Sequence, residues 1–159
     1  MSEDRLVAPF ILQSEVECQC ADPGCPGKDP ELIACPSVQK VIRMAGELFK
    51  QYHDLHDVAP RVNSFIRCAK HNHAVNGRRH SAHLDGVAID VIPPNGDIMD
   101  FVLLAEMQGW PGIIWNRHRG FVHIDRHGSG RVVRGFVDGT GRYWTDGLGN
   151  VADSEVLDA

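Results

Sequence analysis

Two short segments constrain this chain most: Val87-Ala88-Ile89-Asp90-Val91-Ile92 and Phe121-Val122-His123-Ile124-Asp125. Each carries a strand's period of two. In the first, Ala88, Asp90 and Ile92 fall on one face and Val87, Ile89 and Val91 on the other. In the second, Phe121, His123 and Asp125 share a face while Val122 and Ile124 point oppositely. As neighbouring strands they would bring Asp90 and His123 together on one side of a sheet whose other side is packed core. His83, just ahead of the first strand, would close the site from a loop. Two imidazoles and a carboxylate form the ligand set of a catalytic zinc that keeps a position open for water. Magnesium or calcium would call for oxygen ligands instead. Read singly, His83 is a loop histidine, Asp90 a strand-end cap and His123 a core histidine; it is the set of three that points to a metal.

The first segment is embedded in Ser81-Ala82-His83-Leu84-Asp85-Gly86-Val87-Ala88-Ile89-Asp90. With the later Phe121-Val122-His123-Ile124-Asp125, it resembles the zinc peptidases grouped with lysostaphin, D-Ala-D-Ala carboxypeptidases and the hedgehog signalling domain. The likeness is greatest to the short D-Ala-D-Ala carboxypeptidase-like proteins of bacteria and their phages. Three weaker matches accompany it: Ser64-Phe65-Ile66-Arg67, then His71-Asn72 with Val75-Asn76-Gly77, and Arg142-Tyr143-Trp144. The likeness runs from about Phe10 to Trp144. It implies a central antiparallel sheet with the metal on its concave face, and peptide-bond hydrolysis in the stem peptides of bacterial peptidoglycan.

Zinc acidifies bound water and polarises a scissile carbonyl, so no nucleophilic side chain is needed; no G-x-S-x-G elbow occurs. Cys68 could serve a cysteine hydrolase, but strand alternation would send it to the face opposite Arg67. Arg67 can pair bidentately with a carboxylate or hold a peptide carbonyl, and the resemblance implies substrate binding, as it does for Ser81. Some relatives carry an acid three residues before the last histidine ligand, where this chain has Gly120. Others carry a histidine five before it, matched by His118, which becomes the candidate for proton transfer or oxyanion stabilisation. Asp125 can orient a ligand or act as base, the orienting role being preferred. His71, His73, His80 and His127 read as surface. A catalytically silent binding module that keeps the zinc is the alternative, favoured by the empty acid position; a non-peptidase zinc hydrolase is a third.

Five cysteines, Cys18, Cys20, Cys25, Cys35 and Cys68, form an odd set. The acidic start, Met1-Ser2-Glu3-Asp4-Arg5, lacks the basic-then-apolar order of a secretory signal. This predicts a chain made in the cytosol, reaching a cell wall only through a holin or in a virion, and makes structural disulfides the less favoured reading. The spacing of Cys18, Cys20, Cys25 and Cys35 admits a structural zinc but lacks paired C-x-x-C knuckles, so free thiols packed against the first helix are preferred. A net charge of −5 argues against an extended phosphate-binding face. No apolar stretch approaches the roughly 20 residues that cross a membrane. The expected state is a monomer without nucleic-acid or membrane partners.

The 159 residues are expected to form one domain, with 1–12 as a lead-in docked by Phe10, Ile11 and Leu12 and 149–159 as a peripheral tail. Residues 14–35 read as irregular. Val38, Val41, Ile42, Ala45, Leu48, Phe49 and Tyr52 recur at helical spacing from Pro36 to about Leu55. A strand over 61–66, a loop with one short helix over 68–82 and the strand over 87–92 follow. Next come a helix over 97–108 closed by Gly109, strands over 112–116 and 120–126, and short strands near 131–137 and 141–145. Helices preceding an antiparallel sheet with one inserted helix make an α+β fold.

Overall fold

The computed structural model describes residues 4–94, 98–117, 119–127, 133–137 and 143–145. The lead-in forms a two-stranded ribbon, β1 (Leu6–Ala8) against β2 (Ile11–Leu12). Ile11 is fully buried and Phe10 stacks on His53 with ring centroids 4.6 Å apart. Where the sequence reads as irregular over residues 14–35, the chain forms α1 (Gln13–Val16), a 3-10 turn (Pro26–Lys28) and α2 (Pro30–Ile33). These helices are too short to carry a 3.6-residue pattern and stand on local bonds. The Glu15 carboxylate accepts from the Leu12 N–H at 2.8 Å, and Asp29 accepts from the Glu31 N–H at 2.9 Å.

The helical stripe read from the sequence is the buried face of α3 (Pro36–His56), with Pro36 at its first position and Asp57 closing it in the left-handed region at φ 55°. All seven stripe residues are buried to within 1%. α3 packs against the sheet and against α5 (Ile98–Gln108), where Phe49 and Tyr52 meet Phe101 edge to face. Gly109, at φ 85°, ends α5. No helix among the described residues is long and apolar enough to cross a membrane.

The remaining elements are β3 (Arg61–Ser64), α4 (Ala69–Ala74), β4 (Ala88–Ile92), β5 (Gly112–Asn116), β6 (Phe121–Asp125), β7 (Val133–Val137) and β8 (Tyr143–Thr145). Six strands form one sheet in the order β3-β4-β6-β5-β7-β8. Every neighbouring pair is antiparallel except β5 with β7. Because β7 follows β6 in sequence yet pairs with the far edge of β5, it runs parallel to β5, in a sheet otherwise antiparallel among the described residues. The fold is α+β. β4 and β6 lie inside the sheet, covered on one face by the helices, so the polar residues they bury on the other face must find partners among themselves.

Candidate metal centre

Strand register builds the centre. β4 and β6 pair with Asp90 directly opposite His123, as the alternation requires. On the other flank of β4, Ser64 stands opposite Asp90, and Asn63 is an extra residue in β3 that shifts the register there. Beyond β3 the chain runs through buried Phe65 and Ile66 to Arg67, whose N–H donates to the His83 carbonyl at 3.0 Å. That bond ties the loop of His83 to the sheet. His83, Asp90 and His123 are all at most 2% exposed, and one ligand atom from each lies within 4.8 Å of the others.

The ring orientations are set by fixed acceptors. His83 Nδ1 lies 2.5 Å from the Phe65 carbonyl, so it carries the proton and donates. Nε2 is thereby left with its lone pair turned inward, 3.2 Å from Asp90 Oδ1 yet without a hydrogen-bond partner. Burial is the main cause that pushes the His83 pKa below its ordinary value, outweighing the attraction of Asp90 and keeping the ring neutral. His123 Nδ1 lies 3.0 Å from the same Asp90 oxygen, and its Nε2 lies 2.8 Å from Asp125 Oδ2. Burial alone would lower its pKa, but the bonds to Asp125 and Asp90 prevail and raise it to about 9. Burial works likewise against ionising Asp90, and its neighbours His83 and His123, the latter through its hydrogen bond, hold its carboxyl well below the usual range.

These distances suit a metal ion. Ligand atoms about 2.1 Å from a tetrahedral centre stand about 3.4 Å apart, close to the 3.0 and 3.2 Å found around Asp90 Oδ1. An unpartnered imidazole nitrogen buried beside a carboxylate is the arrangement a cation completes. His83 Nε2, Asp90 and His123 Nδ1 are the groups that could hold it.

The surrounding residues take distinct places. Asp90 Oδ2 receives the Arg67 Nη2 at 2.6 Å, and Arg67 Nε donates to Ser64 Oγ at 2.9 Å. Arg67, read as a substrate contact, therefore braces a ligand carboxylate while also lining a cleft with Gln19, Asn63, His71, Asn76 and Arg119. Ser81 is 2% exposed and does not line that cleft; its Oγ accepts from the His83 N–H at 3.3 Å within the turn that carries the ligand. Asp125 shares the face of His123, and its second oxygen accepts from the His127 N–H at 2.9 Å. His118 lies outside the described residues, as does Arg142. Gly120, where some relatives have an acid, sits at φ 74° and donates to the Asn116 carbonyl at 2.8 Å. The tight β5–β6 turn takes a left-handed residue there, which suits glycine.

The Phe65 carbonyl and Gly112 escape a reading of the sequence. Gly112 on β5 stands opposite Asp125, and a Cβ there would strike the Asp125 carboxylate; a missing side chain leaves no pattern to detect. The cysteine set is corrected at Cys35. It precedes α3, with its Sγ 3.4 Å from Ser37 Oγ, so it does not join Cys18, Cys20 and Cys25. Cys68 takes the fourth place, because the turn after β3 points its side chain toward that loop while Arg67 faces the centre.

A family model described as Peptidase M15 matches residues 12–125, a span that contains His83, Asp90 and His123. No curated protein and no solved structure matches the chain. With most of its length matched and the His-Asp-His centre in place, the chain belongs to the M15 peptidases, metal-dependent enzymes related to D-Ala-D-Ala carboxypeptidases.

Proposed function

We propose that the protein is a zinc-dependent hydrolase of peptidoglycan stem peptides, cutting as a D-Ala-D-Ala-type carboxypeptidase or a wall endopeptidase. The carrying observation is the inward-facing, unpartnered Nε2 of His83 beside Asp90, in a chain of peptidase family, at a cleft of polar and cationic residues. Two imidazoles and one carboxylate favour zinc among common divalent ions. When bound, such an ion polarises a scissile carbonyl and acidifies water.

The chain's own residues supply the rest. The Phe65 carbonyl fixes the His83 tautomer, Asp125 orients His123, and Arg67 holds the second oxygen of Asp90. Arg119, exposed on the cleft wall, offers a cationic contact for the carboxylate that ends a stem peptide, and Arg67 lines the same cleft. Both Asp125 oxygens are engaged, so proton transfer to the leaving amine falls to His118. The setting proposed with it is phage lysis, as a lysis enzyme or as a wall hydrolase carried in a virion. The turn glycine at 120, which empties the acid position, favours a second reading, a metal-containing module that binds stem peptides without cutting them.

Mass spectrometry of purified stem peptides incubated with zinc-loaded protein decides between these. Loss of one terminal alanine identifies a carboxypeptidase, an internal cut an endopeptidase. His118→Ala is expected to lower turnover about a hundredfold, within the range of a lost general acid or base, with zinc content unchanged. Intact peptides that nonetheless bind would establish the non-catalytic reading.

A further inference from the structure

The cysteine cluster is separate from the catalytic set and takes no part in the reaction described above. Cys18, Cys20, Cys25 and Cys68 come from two stretches of chain, yet their four sulfurs lie within 4.8 Å of one another. All four are free thiols, and Cys18, Cys25 and Cys68 are buried. Simple packing gains nothing from gathering four sulfurs, rather than carbons, around one point. A metal that binds thiolate gains a great deal.

The backbone is built toward those sulfurs. The Cys68 N–H donates to Cys18 Sγ at 3.3 Å, and the His71 N–H donates to Cys68 Sγ at 3.3 Å. Amide donors aimed at sulfur favour the charged thiolate, and such surrounding bonds tune metal ligands. The loop itself is folded back by the bond from the Cys18 N–H to the Gly27 carbonyl at 3.0 Å and from the Lys28 N–H to the Cys25 carbonyl at 3.0 Å. Gly27 is where this loop passes under the strand end: a Cβ there would stand 2.5 Å from Cys18 Cβ and 3.3 Å from the Cys68 nitrogen.

We propose that Cys18, Cys20, Cys25 and Cys68 hold a second, structural zinc ion, closed to substrate. Four thiolates about 2.3 Å from one tetrahedral ion stand about 3.8 Å apart, a separation that a cluster confined within 4.8 Å meets with little adjustment. Soft sulfur ligands exclude magnesium and calcium. The ion clamps the N-terminal loop to the start of α4, and that places it behind one wall of the catalytic cleft. Gln19 lies between two of the cysteines, Arg67 immediately precedes the fourth, and His71 donates to it; all three line the cleft.

Elemental analysis of full-length protein purified under reducing conditions tests this. Wild type should carry about two zinc ions per chain and His123→Ala about one, since the sites are separate. Cys25→Ser should lose one ion and Cys35→Ser none. Because a cysteine variant can fail to fold, the deciding measurement uses His123→Ala with all cysteines intact. Loaded with cobalt, it should show thiolate-to-cobalt charge-transfer absorption. Its thiols other than Cys35 should resist a thiol reagent until a strong chelator is added. A His123→Ala protein that holds no metal, iron in place of zinc, or disulfides among the four cysteines in protein isolated without reductant would each overturn the proposal.

Discussion

Both oxygens of the Asp125 carboxylate are engaged, and this decides what the residue can do. Oδ2 faces His123 Nε2 at 2.8 Å and Oδ1 takes the His127 N–H at 2.9 Å. Burial opposes ionisation of Asp125, but the bond from His123 outweighs it and lowers the pKa, so the carboxylate stays charged. A charged acceptor on Nε2 makes Nδ1 the better ligand, because the ring must keep its proton on the Asp125 side. Asp125→Asn removes that charge and can turn an amide donor toward Nε2–H. Metal affinity is expected to fall about tenfold or more, as for other residues that orient a ligand. Competition with a chromophoric chelator measures it, and an affinity equal to wild type would mean that Asp125 does not orient His123.

At the scale of elements, the strand opposite Asp125 matters as much as the residue itself. Gly112 on β5 makes room for the carboxylate, so Gly112→Ala must either displace β5 or push Asp125 off His123. The expected result is weaker metal binding with a stability loss of about 1–3 kcal/mol, typical of overpacking. Metal titration beside thermal melting reads both, and a variant matching wild type in affinity would show that the strands yield without cost to the site. Elements differ in how well their sequences announce them. The β4–β6 pairing was legible because each strand carries polar ligands on one face and apolar residues on the other. α3 was legible because seven apolar residues recur along one stripe. The helical turns within 13–33 were not, being shorter than any period. Nor was the β5–β7 pairing, since strand order depends on contacts far apart in sequence. The same non-locality hid Cys68 as the partner of Cys18, 50 positions away. Gly112 and the Phe65 carbonyl were invisible for a different reason: neither acts through a side chain.

Across the whole molecule, the centre joins the end of β3, the His83 loop, β4 and β6, and it buries several ionisable groups together. Without a metal ion, Asp90 and Asp125 are balanced by the Arg67 guanidinium and by the proton on His123, and the latter couples fold stability to pH. The folded His123 pKa is raised from 6.5 to about 9. Its contribution is therefore complete below 6.5 and lost as the pH climbs through about 9. His83 behaves oppositely: its pKa is lowered from 6.5, so its contribution is present above 6.5 and lost on acidification. Asp90 and Asp125, both lowered, add to the acid-side loss below the usual carboxylate range. The metal-free protein should therefore be most stable near pH 6.5 and weaken on either side. An ion on His123 Nδ1 displaces that proton, so binding at neutral pH releases about one proton per ion and apparent affinity rises about tenfold per pH unit until about pH 9. Consequently, removing the ion by chelation should lower the melting temperature more at pH 9 than at pH 7. Calorimetric melting with and without chelator, together with proton release on metal addition in weakly buffered solution, measures both effects. If no proton were released at pH 7 and the chelated protein melted at the same temperature from pH 6.5 to 9, His123 would not be the charged partner that holds the metal-free centre together.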